Sequence, residues 1–191
     1  MQISFVTSNN GKVASLRRVC EPLGIKVNQV SLELPEPQVS DLRVITQHKA
    51  EAAFKEVQGA VVVQDTGFYL EAWPNFPGPF VKFTLDSLGI DGYLTLVEER
   101  SRECEFRECI AFFDGDQVSF FESKIPGRLA TSRQGIKHPE AWSELWEIFI
   151  PEDFDKTIAD MTDKERADWR SRRGDGSASL FARWYADRGG A

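Results

Sequence analysis

The run Ala60-Val61-Val62-Val63, breaking off into Gln64-Asp65-Thr66-Gly67, constrains the fold of this chain more than any other stretch. A continuous apolar tetrad bounded by polar and turn-forming residues reads as a buried strand with a polar cluster at its C-terminal end. The opening residues repeat the arrangement: Gln2 to Val6 is a short apolar run that ends at Thr7-Ser8-Asn9-Asn10-Gly11-Lys12. A helical pattern follows, with Val13, Leu16, Val19 and Leu23 on one face and Gly24 as its stop. Val27 to Leu32 is strand-like, Leu34-Pro35-Glu36-Pro37 is a stiff extended connector, and Val44 to Val57 reads as a helix carrying Lys49. Beyond the Gln-Asp-Thr-Gly cluster, Phe68 to Trp73 predicts a second strand, Asn75 to Pro79 a turn, and Phe80 to Leu88 and Asp91 to Glu99 two short helices. Glu105 to Phe113 and Val118 to Ile125 form a hairpin pattern around Asp114-Gly115-Asp116. The last third holds the segment Glu140 to Ile150, a turn at Pro151, a helix over Lys164 to Arg173, a Gly-rich break and an amphipathic helix from Ala178 to Ala186. Strands alternate with helices early and give way to a hairpin later, which indicates an α/β fold with a mixed sheet.

A chain of 191 residues fits one domain, or two lobes sharing one core, and 14 Phe and 5 Trp can fill that core and line pockets. The net charge of −7 argues against non-specific adhesion to nucleic acid or to an anionic membrane. A polyanionic ligand would therefore need a local Lys/Arg cluster or a metal ion. No apolar run approaches the roughly 20 residues that span a bilayer, and Met1 to Lys12 lacks the charged-then-apolar pattern of a signal peptide. Cys20, Cys104 and Cys109 are an odd set without metal-like spacing, so a reducing cytoplasm is the simplest context. His48 and His138 are too few for a His-based metal site.

Several polar groups can carry chemistry. The Thr7 to Lys12 loop places backbone N–H groups at a helix N-terminus, which favours an anion, and Lys12 on the first turn can reach a phosphate. An ordinary N-cap uses the same residue types, and the Walker spacing is absent. Asp65 at the end of an apolar strand occupies the place where α/β sheets put ligand-handling groups, and its oxygens suit Mg²⁺; the plainer reading is an Asp closing a turn. Glu36 on its Pro-flanked connector is either a metal ligand or a solvated carboxylate, and Lys82 after Pro77-Gly78-Pro79 is either a phosphate contact or a solvated lysine. Arg166, Arg170, Arg172 and Arg173 beside Ser171 read as a basic helix face, solvated or ligand-bearing. Trp142 and Trp146 belong to the core or stack a base.

Taken together and in this order, these residues resemble the inosine triphosphate pyrophosphatase family over nearly the whole chain. Its T-G-N-x-x-K matches Thr7 to Lys12 with Ser8 for Gly, and its L-P-E matches Leu34-Pro35-Glu36. Its E/D-D-[ST]-G matches Gln64 to Gly67, and its P-G-P/I-Y-x-[KR] matches Pro77 to Lys82. The resemblance implies a single domain over 1–191 with two lobes around a long twisted mixed sheet, the nucleotide and Mg²⁺ lying in the cleft between lobes, and a homodimer. By position it implies that Thr7, Ser8, Asn9, Lys12, Lys49 and Lys82 hold phosphates and that Glu36 and Asp65 bind metal. Asp65 would also act on the attacking water, with Lys12 and Lys49 as its catalytic partners.

The sequence departs from the family at the base end. Gln64-Asp65 stands where the family has two acids. The G-[FWY]-D-P signature is absent, its nearest stretch being Ser143 to Glu147, which makes Trp146 and Glu147 the base-pocket candidates. The S-H-R signature falls on Arg170-Ser171-Arg172, so Ser171 and Arg172 take its place. The expected activity is hydrolysis of a nucleoside triphosphate between the α and β phosphates, most directly of ITP, dITP or XTP. The altered pocket leaves open the same reaction on another modified or canonical nucleotide, and a nucleotide-binding module without turnover.

Overall fold

A computed structural model describes residues 1–189. The first strand, β1 (Gln2–Val6), leads into α1 (Asn10–Cys20), which Asn9 caps by accepting the Lys12 N–H at 3.1 Å. A 3₁₀ turn over Glu21–Leu23 extends α1, and Gly24 ends it at φ 72°. Strand β2 (Lys26–Val30) precedes α2 (Leu42–Val57). The helix starts two residues earlier than the apolar pattern suggests because Asp41 Oδ1 accepts the N–H groups of Arg43 and Val44.

The expected break after Val63 does not occur. Strand β3 runs without interruption from Val61 to Leu70, so Asp65 lies within a strand and not at its end. The polar cluster reads as a turn because Thr-Gly is ordinary turn chemistry, but Gly67 has another use. A Cβ there would lie 2.7 Å from the Tyr69 ring and 3.1 Å from the Gly78 backbone. The glycine thus admits the close approach of β4 (Pro77–Gly78), which pairs antiparallel with Phe68 and Tyr69.

Helix α3 (Val81–Leu96) carries a break at Gly89, with φ 63° and ψ −177°, where two short helices were expected. Strands β5 (Glu103–Phe113) and β6 (Val118–Leu129) flank a turn in which Asp114 Oδ1 accepts from the Asp116 and Gln117 N–H groups. A 3₁₀ turn (Glu144–Glu147), β7 (Phe149–Pro151), α4 (Asp163–Arg172) and α5 (Ser177–Asp187) complete the chain. Among the described residues the strands form one mixed seven-stranded sheet in the order β2-β1-β3-β5-β6-β7, with β4 beside β3. β1 pairs parallel with β2 and β3, and β6 antiparallel with β7.

Contacts divide the chain into two compact units. The first comprises Met1–Thr66, Glu108–Ser123 and the residues from Asp175 onward. It holds one apolar cluster around Phe5, Leu16, Phe112, Phe181 and Tyr185, and another around Ala50, Ala53, Val61, Val63 and Ala111. Successive residues of one strand, such as Val61 and Val62, enter different clusters. This two-sided burial is why these strands read as continuous apolar runs and not as alternation. The second unit, Gly67–Arg107 with Lys124–Gly174, packs Phe68, Phe106 and Phe149 at its centre, with ring centroids 4.7 and 4.8 Å from Phe106.

Candidate active site

In the first unit the loop after β1 is both a cap and a corner. Thr7 Oγ1 accepts the Asn9 N–H at 3.1 Å, the Asn9 side chain caps α1, and the Gln29 side chain donates to the Thr7 carbonyl. The N-cap reading is therefore correct for Asn9, while Ser8 stays exposed. Lys12, one turn into α1, reaches across to β3 and donates to the Gln64 carbonyl at 3.2 Å.

Beside β3, Lys49 projects from the middle of α2 between two carboxylates. Its Nζ lies 2.8 Å from Glu36 Oε1 and 3.5 Å from Asp65 Oδ1. The Lys49 and Asp65 side chains are 12% and 15% exposed and that of Glu36 is 55%, so the pair is sheltered but open on the connector side. Burial works against the Lys49 charge, but Asp65 and Glu36 outweigh it and raise its pKa. For Lys12 burial prevails and lowers the pKa, reinforced by Lys49 and opposed by Asp65, Glu108 and Glu36. Thr7, Asn9, Lys12, Glu36, Lys49 and Asp65 all lie in the first unit, where Lys49 joins Glu36 and Asp65.

Glu108 was not among the sequence candidates. It lies in β5, only 7% exposed, and Oε2 accepts the hydroxyls of Ser123 at 2.9 Å and Ser177 at 3.1 Å. Strand alternation does not single it out, because Cys109 and Ala111 are buried as fully as Ile110 and Phe112 in this half of β5.

The donor set suits a hard divalent cation. Among the described residues no three His, Cys, Asp or Glu side chains converge as a cage. Mg²⁺ asks for less: it usually takes one or two carboxylates and completes its shell with phosphates and water. Glu36 and Asp65 already share one cationic partner, the Lys49 ammonium.

The remaining candidates lie in the second unit. Lys82 is exposed at the second residue of α3. Trp146 is buried, 3% exposed, with Trp142 edge-on and the His138 ring stacked at 6.1 Å, and its indole N–H finds no hydrogen-bond partner among the described residues. Glu147 faces Arg133 at 3.5 Å. Ser171 donates back to the Asp168 carbonyl, and Arg172 pairs with Asp168 at 2.7 Å while its guanidinium lies 5.8 Å from the Phe154 ring centre. Of the arginine cluster read as one basic face, Arg166 departs most. It is 5% exposed and donates to the carbonyls of Ile158 and Met161 and to Asp163, so it anchors the turn before α4.

A family model described as the Ham1 family matches residues 3–182. The chain belongs to the Ham1 family. Among its relatives, the dITP/XTP pyrophosphatase of Thermococcus kodakarensis is 35% identical over 190 residues, covering 98% of both chains. That of Methanopyrus kandleri is 32% identical, covering 97% of this chain and 96% of the other. A HAM1 protein from Coxiella burnetii shares the fold with a TM-score of 0.80 at 19% identity, over 98% of this chain and 99% of that one. The family resemblance drawn from the motifs is therefore correct.

Proposed function

We propose that this Ham1 protein hydrolyses nucleoside triphosphates between the α and β phosphates, consuming one water and releasing a nucleoside monophosphate and pyrophosphate. The observation that carries this reading is the Glu36–Lys49–Asp65 cluster beside Lys12, two carboxylates and two ammonium groups around one segment of β3. Phosphoryl transfer requires mainly positioning and neutralisation of developing charge, and Lys12 and Lys49 supply positive charge to the phosphate oxygens. Thr7, Ser8, Asn9 and Lys82 complete the phosphate contacts in this reading. Asp65, a sheltered carboxylate, orients the attacking water and accepts its proton. Glu36 and Asp65 would hold Mg²⁺, which when bound polarises phosphate oxygens and neutralises their charge.

The names of the relatives support the deaminated purine nucleotides dITP and XTP as substrates, and this reading adds ITP, the ribose counterpart of dITP. In this reading Trp146, Glu147, Ser171 and Arg172 serve the base. A second reading keeps the reaction and changes the base. It is favoured by the engagement of Arg172 with Asp168 and of Ser171 with its own helix, which leaves the replaced signature already occupied. The same proposal takes the protein as a homodimer in a reducing cytoplasm. The three buried, unpaired thiols agree with that compartment, and the exposed Phe80, Phe83 and Leu88 offer apolar surface for a partner copy.

Pyrophosphate release with Mg²⁺ from ITP, dITP, XTP, GTP, ATP and dUTP tests the proposal. Preference for ITP, dITP or XTP by tenfold or more is the expected result. Preference for another base selects the second reading, and binding without release from any of them refutes hydrolysis.

A further inference from the structure

Lys49 lies between the two carboxylates that would hold Mg²⁺. Its ammonium is 2.8 Å from Glu36 Oε1 and 3.5 Å from Asp65 Oδ1. A magnesium ion needs oxygens at about 2.1 Å in near-octahedral order. An ammonium paired with the same two oxygens takes up that space and repels a second cation at short range. Lys49 and a divalent ion therefore compete for one pair of carboxylates.

The framework decides which partner can move. The backbone of α2 is anchored on either side of Lys49, since Thr46 and Ala50 are fully buried and Thr46 Oγ1 lies 3.3 Å from Cys109 Sγ. Asp65 belongs to the interior of β3, and Pro35 and Pro37 stiffen the connector that carries Glu36. The flexible part of the cluster is the long alkyl stem of Lys49. Lys12 differs in what it holds. Its ammonium donates to the neutral Gln64 carbonyl, so both carboxylates can turn to an ion without releasing it.

We propose that Lys49 is an internal counter-ion of the metal site, which a divalent ion displaces from Glu36 and Asp65 as it binds. The released ammonium then turns to the phosphates. The ion and the triphosphate reinforce one another's binding, because phosphate oxygens give the displaced charge a new partner. The inference rests on the proposed metal-dependent hydrolysis and deepens it, making Lys49 the residue that limits affinity for the metal alone.

The test uses the whole protein and Mn²⁺ alone, its binding followed by calorimetry and by the loss of the free-ion paramagnetic resonance signal. Lys49→Met, with Lys49→Gln as a second neutral variant should Met disturb folding, is expected to bind Mn²⁺ about tenfold more tightly. Lys12→Met is the control for simple loss of positive charge, and it should gain less because its ammonium rests on a carbonyl. Melting curves separate this role from a structural one. With chelator the Lys49 variants should melt below the unaltered protein, because Glu36 and Asp65 are left without their shared cation, and Mn²⁺ should close that gap. Three results overturn the proposal: unchanged or weaker Mn²⁺ binding in folded Lys49 variants, a gain no larger than that of Lys12→Met, or a melting gap that Mn²⁺ leaves open. Pyrophosphate release by the unaltered protein in the presence of chelator would instead overturn the metal-dependent reading on which it rests.

Discussion

Lys49 is held by two acids at unequal distances, 2.8 Å from Glu36 and 3.5 Å from Asp65, and this fixes what a change at Asp65 does. Asp65→Asn keeps the shape of the side chain and removes its charge. Glu36 still pairs Lys49, so the loop and α2 stay docked and the thermal midpoint should move by only a few degrees. Turnover should fall by at least 100-fold, since an amide neither accepts the proton of water nor binds a divalent ion as a carboxylate does. Steady-state pyrophosphate release alongside a melting curve checks both halves, and retained turnover would remove Asp65 from the mechanism. At this scale Lys12, Glu36 and Asp65 were legible because each sits in a short motif with its own spacing. Glu108 was not, because it belongs to no motif. Its hydrogen-bond partners Ser123 and Ser177 are 15 and 69 residues away and meet it only through the fold.

Helix α4 illustrates what an element gains from local chemistry. Thr162 Oγ1 accepts the Glu165 N–H, and the Glu165 carboxylate accepts the Thr162 N–H at 2.7 Å, a reciprocal cap that also takes Lys156 at 2.8 Å. The Lys156 hydrogen bond, followed by those from Thr162, holds the Glu165 carboxyl down to about 2 from its ordinary 4.5. Because the folded value is the lower one, the stabilisation is complete above 4.5 and is lost as the pH falls through about 2. Glu165→Gln should therefore lower the urea midpoint at pH 7, with the gap to the unaltered protein closing between pH 4.5 and about 2. A gap that stays constant with pH would show that the ionised carboxylate contributes nothing. Thr162→Ala should cost about 1 kcal/mol at neutral pH through the lost cap. This helix was readable from the sequence within a residue or so, as was α5, since caps and apolar period are local; α1 was recognised as a helix, but its α-helical turns run Asn10–Cys20 where the apolar pattern spans Val13 to Leu23. The continuity of β3 was not, because Gly67 answers to the Tyr69 ring and to Gly78, and only the folded chain reveals that neighbour.

The two units are built from one chain that passes between them inside its own strands. The boundaries at Thr66/Gly67, Arg107/Glu108 and Ser123/Lys124 fall within β3, β5 and β6 respectively. Each of these strands therefore supplies one stretch to each core, as β5 does with Phe106 in the second unit and Phe112 in the first. Losing the core of one unit frees strand residues whose immediate neighbours hold the other, so the units should unfold together despite their separate apolar clusters. The tryptophans make this measurable. Trp73, Trp142, Trp146 and Trp169 lie in the second unit and Trp184 alone lies in the first, so in a Trp184→Phe background fluorescence reports only the second. Phe112 is 1% exposed and packs on Phe181 and Tyr185, entirely within the first unit. Phe112→Ala there should cost about 3–5 kcal/mol by the usual penalty for emptying an aromatic core position. If the units are coupled, the fluorescence midpoint in urea falls with the far-ultraviolet dichroism midpoint, and both traces superimpose. A fluorescence midpoint that stays at its original value while the dichroism splits into two steps would mean that the shared strands do not transmit the loss, and that the second unit is stable by itself.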